Sequence, residues 1–187
     1  MSVWLRNRGR SRAYMTDRDY AKSSACEIAV KEEIERLSKK GARVNLVGYG
    51  AGVPRKFETS RPQSKEPAPL DLEYTISGEA VAIVEVMGSP RWNFATSGFF
   101  PVALDKGLRA QKLKIPTFFI TVLDLEPKPN MWWMSAVECC KYPIWYKMPS
   151  IYGSQDVYKT NKYAWKRGLE GLVKEIEGSN RSLTSYL

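Results

Sequence analysis

The chain has 187 residues, with 29 Lys and Arg against 20 Asp and Glu, a formal charge of +9. That length suits one domain around a single core, and the basic balance favours a polyanionic partner, nucleic acid ahead of an anionic membrane surface. There is no histidine, which excludes imidazole-based triads, His-ligated zinc and imidazole general bases; any catalysis falls to carboxylates, lysines, tyrosines, thiols or a metal held by oxygen ligands.

Residues 1–18 are polar and arginine-rich and read as a basic arm, with a single domain expected over residues 19–187. The arginines are not followed by the apolar stretch of a secretory signal, and no apolar run is long enough to span a bilayer. The three cysteines, Cys26, Cys139 and Cys140, match no zinc spacing and fit a reducing compartment. A cytoplasmic protein with no membrane partner is the expectation.

A helix is expected over residues 19–40, where Val30, Ile34 and Leu37 form one apolar face. Glu27, three residues before Val30, falls on the same stripe, and a carboxylate on a buried stripe needs a partner. Residues 42–50 read as a strand. Residues 51–69 form a long, proline-rich polar connection in which Lys56, Arg61 and Lys65 suit phosphate contacts. The runs "LDLEYTI" and "AVAIVEVM", separated by Ser77, Gly78 and Glu79, predict a hairpin. A loop carrying Arg91 follows. Residues 99–113 read as a helix with Phe100, Leu104 and Leu108 on one face and Pro101 in its first turn. Residues 114–125 read as a buried strand, and residues 131–140 and 142–148 as further strand candidates. Residues 158–177 carry Trp165, Leu169, Leu172, Val173 and Ile176 at helical spacing. The sum is an α/β domain bordering on α+β, a mixed sheet with helices on its faces.

Alternation along the second hairpin strand puts Val81, Ile83, Glu85 and Met87 on one face. The hairpin brings Asp71 near the level of Glu85 or Val86, depending on register. Two carboxylates this close repel unless a cation lies between them, and Mg²⁺, which takes hard oxygen ligands and keeps water and phosphate oxygens, suits such a pair. Glu73 shares the face of Asp71 and reads more simply as a surface carboxylate. The aromatics Trp132, Trp133, Trp145 and Tyr146 would stack on bases, but core packing explains them more cheaply.

Over residues 19–122 this order of elements resembles the PD-(D/E)XK nuclease superfamily. The family's "PD" is similar to "PLD", residues 69–71, with one residue inserted, and its "(D/E)XK" is similar to "EVM", residues 85–87. The helical Glu27 resembles that of the archaeal Holliday junction resolvase branch. The resemblance implies a restriction-endonuclease-like fold, with a mixed four-stranded core sheet flanked by helices. It also implies a DNA endonuclease, structure-specific for junctions or branches, that uses Mg²⁺ or Mn²⁺. Asp71, Glu85 and the Val86 carbonyl would hold metal, with Glu27 as a further carboxylate. The departure is Met87, where the family has lysine. Some members supply that lysine from the next helix, which here offers Lys106 first and Lys112 second. Lys56, Arg61, Arg91, Gln111 and Lys112 would contact DNA. Junction resolution uses two active sites, so the resemblance leaves room for a homodimer. The alternative is a nuclease-like protein that binds DNA and no longer cuts it.

Overall fold

In the computed structural model, which describes residues 17–39, 41–46, 71–87, 98–125, 127–150 and 153–184, the first apolar stripe lies on helix α1 (Asp17–Leu37). Cys26, Val30 and Ile34 are fully buried, and each aliphatic side chain of this kind contributes about 1.5–3 kcal/mol by leaving water. The helix is clamped to strand β1 (Arg43–Leu46): the Lys31 ammonium donates to the Val44 carbonyl and the Val44 amide donates to Glu35 Oε1, both at 2.9 Å.

The hairpin of the sequence is present. Ser77 and Gly78 take φ values of +54° and +84°, the double positive φ of a primed two-residue turn whose twist suits a hairpin. It joins β2 (Leu72–Ile76) to β3 (Glu79–Met87), with β1 antiparallel on the far side of β2.

Residues 99–103 depart from expectation. They form strand β4 (Phe99–Ala103), and helix α2 covers only Leu104–Lys112. Phe100 and Val102 alternate inward, a period of two that the helical reading overlooked. Pro101 is tolerated because β4 is an edge strand, where a missing amide breaks no ladder on its open side.

From α2 the chain enters β5 (Thr117–Asp124), buried over its first six residues and parallel to β3. Then come β6 (Asn130–Ser135), the short helix α3 (Ala136–Cys139), β7 (Ile144–Ser150) and β8 (Gly153–Asn161). A 3₁₀ turn at Lys162–Ala164 and strand β9 (Lys166–Arg167) lead to the last helix, α4 (Glu170–Thr184). The helix expected over residues 158–177 therefore begins at Glu170. Trp165 and Leu169 are buried from an extended segment, where their four-residue spacing has no helical meaning.

Among the described residues there are two sheets. The larger is six-stranded and mixed, in the order β1-β2-β3-β5-β6-β9, where four core strands were expected; the smaller is β4-β8-β7. One face of the large sheet buries Leu72, Val84, Ile120 and Trp133 against α1 and α4. At its edge the Ser38 hydroxyl donates to Glu177 Oε1 at 2.7 Å, and the Tyr74 hydroxyl reaches both at 3.2 Å, tying α1, β2 and α4 together. The other face buries Phe119 and Met134 under α2, α3 and the small sheet. Asp71 and Glu85 lie towards this second face. Among the described residues no helix is long and apolar enough to cross a membrane.

Candidate active site

Asp71 stands just before β2, and its position follows from register. Leu72 faces Val84, so one step back on β2 and one forward on β3 bring Asp71 level with Glu85. Asp71 Oδ2 accepts the Val86 amide at 2.9 Å. The carboxylate thus takes the place of the next rung of the ladder, which β2, starting at Leu72, does not supply. The Ile83 amide points the other way, donating to Pro116 across towards β5 at 2.9 Å. Val84 and Val86 therefore present their backbone to β2. Because N–H and C=O of one strand residue leave on the same side, the Val86 carbonyl shares the edge with Asp71.

Glu85 leaves the sheet beside Phe119, its register partner on β5. Asp71 and Glu85 are 6% and 2% exposed. A carboxylate this deep needs a counter-charge, and the chain supplies one: Lys106, in the first turn of α2, places its ammonium on Glu85 Oε1. The Lys106 side chain is 31% exposed against 3% for that of Glu85, so the ammonium reaches inward from the solvent edge. Met87 packs against the apolar cluster under α2. The position that lacks lysine is thus filled by methionine, while an amine arrives from the helix.

The seat of α2 sets where Lys106 lies. Gly107 is buried against the ring of Tyr158 on β8, and a Cβ there would lie 2.3 Å from Tyr158 Cε2. Glycine is required for this approach. Asp105 and Arg109 form an ion pair at 3.3 Å along the same helix. Beyond Gly107, Cys140 Sγ contacts the Gly107 carbonyl at 3.7 Å and hydrogen-bonds to Tyr158 and Gln111. Burial pushes the Cys140 thiol up, against the pull of those two bonds, and burial with Cys140 nearby pushes Tyr158 up to about 12. These contacts bolt α2 to α3 and β8. Cys140 carried no sequence signal for this role.

Glu27 is 3% exposed, on the stripe with Cys26 and Val30, as the periodicity placed it. Among the described residues no three Asp, Glu, Cys or His side chains are grouped to hold a metal, so Glu27 joins Asp71 and Glu85 in no such triad. The two remaining carboxylates and the Val86 carbonyl are hard oxygen donors at one sheet edge, a set whose chemistry fits Mg²⁺. Glu73 is half-buried opposite Ile83. Gln111 and Lys112 are exposed in the last turn of α2. Lys56, Arg61 and Arg91 lie outside the described residues. Of the four aromatics expected in the core, Trp133 is buried and Trp132 half-buried, but Trp145 is 38% and Tyr146 64% exposed.

A mixed sheet with helices on its faces and a carboxylate pair at the head of its central hairpin is a restriction-endonuclease-like fold. The solved structure of a nuclease from a fusselovirus matches it with a TM-score of 0.55, over 89% of this chain and 96% of that one, at 19% sequence identity. At that identity the likeness is one of fold. No protein-family model and no curated protein sequence matches the chain.

Proposed function

We propose that this chain is a metal-dependent DNA endonuclease of the PD-(D/E)XK type, with Lys106 in the role of the missing motif lysine. The observation that carries the reading is the Lys106–Glu85 ion pair beside Asp71: two buried carboxylates and an amine at one edge of a basic protein. The fold shared with a viral nuclease supports it. Asp71, Glu85 and the Val86 carbonyl would hold Mg²⁺, which when bound polarises a phosphoryl group and orients a water. The chain does the rest. The Val86 amide holds Asp71 in one orientation. Lys106 neutralises charge developing on the phosphate oxygens, the largest single contribution in many such sites. Glu27, buried on α1 and outside the metal-holding pair, serves as an outer carboxylate. Gln111 and Lys112, with Lys56, Arg61 and Arg91, contact the DNA, and branched DNA cut by a homodimer is the preferred substrate and assembly.

The test is cleavage of branched, duplex and single-stranded DNA with Mg²⁺ or Mn²⁺ and with EDTA. Glu85→Gln and Asp71→Asn are expected to abolish cleavage while DNA binding persists; undiminished cleavage by both variants refutes the site. One observation favours a second reading, a protein that binds DNA without cutting: Met87 packs into the apolar cluster where the motif lysine would stand. That reading expects salt-dependent binding and no cleavage with either metal.

A further inference from the structure

One face of the small sheet carries aromatic and cationic side chains over the buried Val157. Strand alternation puts Phe99 on β4, Lys159 on β8 and Trp145 on β7 on the same side. The Phe99 and Trp145 rings lie 5.5 Å apart, and the Lys159 ammonium sits 5.3 Å from one centroid and 5.1 Å from the other. The Lys162 amide donates to the Gly98 carbonyl at 3.1 Å, which brings the 3₁₀ turn beside the head of β4. There the Lys162 ammonium lies 5.5 Å from the ring of Tyr163, itself 81% exposed.

Large exposed aromatics lose water-ordering cost only when something covers them. Lysines interleaved among the rings select against an apolar or cationic partner and for a polyanion with flat faces. Among the described residues Lys159 makes no ion pair with a carboxylate, so its charge faces outward over the rings. We infer that this face is a single-strand platform: unpaired bases stack on Trp145 and Tyr163, and the backbone phosphates lie against Lys159 and Lys162. Sequence-tolerant binding of this kind combines stacking rings with a positive track. The inference rests on the nuclease reading above and names the substrate feature that the site would meet. β4 leads directly into α2, so Phe99 lies at most about 25 Å from Lys106 along the chain. A few unpaired nucleotides bridge that gap, so among branched DNAs those with a single-stranded tail or gap beside the scissile bond are cut best.

The experiment measures binding of a fluorescein-labelled oligothymidylate and of a blunt duplex of the same length by anisotropy, in EDTA. Working without metal separates this platform from cleavage. Trp145→Ala is expected to weaken oligothymidylate binding about tenfold or more, the scale of one lost stacked base, with duplex affinity changed less than about twofold. Trp145→Phe restores most of the loss. Tyr163→Ala, on a side chain too exposed to matter for folding, weakens the same binding several-fold. Unchanged oligothymidylate affinity in Tyr163→Ala and in folded Trp145→Ala overturns the platform, as does an equal loss on duplex. A dimer dissociated by Trp145→Ala with oligothymidylate affinity intact also overturns it and assigns the face to self-association. If the platform fails while the wild type still cleaves, the nuclease reading stands; if the platform holds and nothing is cut, that reading falls alone.

Discussion

The ammonium of Lys106 on α2 rests on the carboxylate of Glu85 on β3, a side chain 21 residues earlier in the chain and almost wholly buried. The pair does two things at once. It neutralises a carboxylate that the sheet has taken out of water, and it puts a cation at the one edge where Asp71 and the Val86 backbone also converge.

Lys106→Met, which keeps much of the side-chain stem, separates these effects. Removing a positioned donor at a site of developing charge costs about 10²–10³ in turnover, so cleavage is expected to fall by that much. DNA affinity in EDTA should change less than about threefold, because one lysine of 29 Lys and Arg residues is a small part of the field. Single-turnover cleavage and anisotropy on the same preparation check both.

Met87 points to a sharper experiment. It shares its strand face with Glu85, so Met87→Lys in the Lys106→Met background moves the amine from the helix to the strand. Cleavage is expected to recover at least about tenfold over the Lys106→Met protein. Met87→Lys alone is expected to be destabilised, since a second ammonium then enters an apolar cluster with Glu85 already paired. No recovery in the double variant would place the role of Lys106 elsewhere than in supplying charge beside Glu85.

The hairpin was legible because a two-residue turn and strand alternation are local rules, but the level of Asp71 was not: the turn alone would set Asp71 opposite Val84, and a one-residue irregularity between Tyr74 and Thr75 shifts it to Glu85. Glu27 was legible from one three-residue step. Residues 99–103 carry no unambiguous signal, because "FFPVALDKGL" has apolar residues at both two- and four-residue spacings, and only pairing with β8 selects the strand. β8 itself reads "GSQDVYKTN". It has few apolar residues, because its outer face carries Lys159 and Asn161 rather than a second core. Lys106 was nameable only through resemblance. Its contact depends on the close seat of α2 on Tyr158, a tertiary fact with no local signature.

Asp71 gives a clean division between holding the fold and serving the site. Its Oδ2 satisfies the Val86 amide. Asp71→Asn keeps an acceptor there, so thermal stability is expected to stay near wild type while cleavage is lost. Asp71→Ala orphans a buried N–H at a cost of about 1–3 kcal/mol, which in a chain of this size lowers Tm by roughly 2–4 °C per kcal/mol. Calorimetry of the two variants beside a cleavage assay distinguishes the roles; equal Tm values would mean that the Val86 amide finds another partner.

Gly107→Ala tests the seat of α2. In an open helix the change stabilises by about 1 kcal/mol. Here the new methyl meets the Tyr158 ring at 2.3 Å, and that ring is only 4% exposed and has little room to yield. Overpacking of this kind costs about 1–3 kcal/mol, so a net loss of stability is expected, with a fall in cleavage as Lys106 is carried away from Glu85. A Tm equal to or above wild type would show that the helix can lift without cost.

Alkaline pH should loosen the same seat. Burial raises the thiol pKa of Cys139, with Cys140 adding to it; burial also raises Cys140, and Tyr158 is pushed up to about 12. All three groups keep their protons in the fold at pH values where the unfolded chain has begun to lose them. Below the unfolded thiol pKa, near 9, both states are protonated and stability is flat. Above it the unfolded state binds fewer protons than the native one, so stability falls as pH rises. Tm is therefore expected to be level from about pH 6.5 to 8.5 and to decline between about pH 9 and 11. Cys139→Ala removes one such group. Its stability should fall less steeply over that window, by up to about 1.4 kcal/mol per pH unit. Parallel declines in urea melts of the two proteins from pH 7 to 11 would show that Cys139 titrates alike in both states.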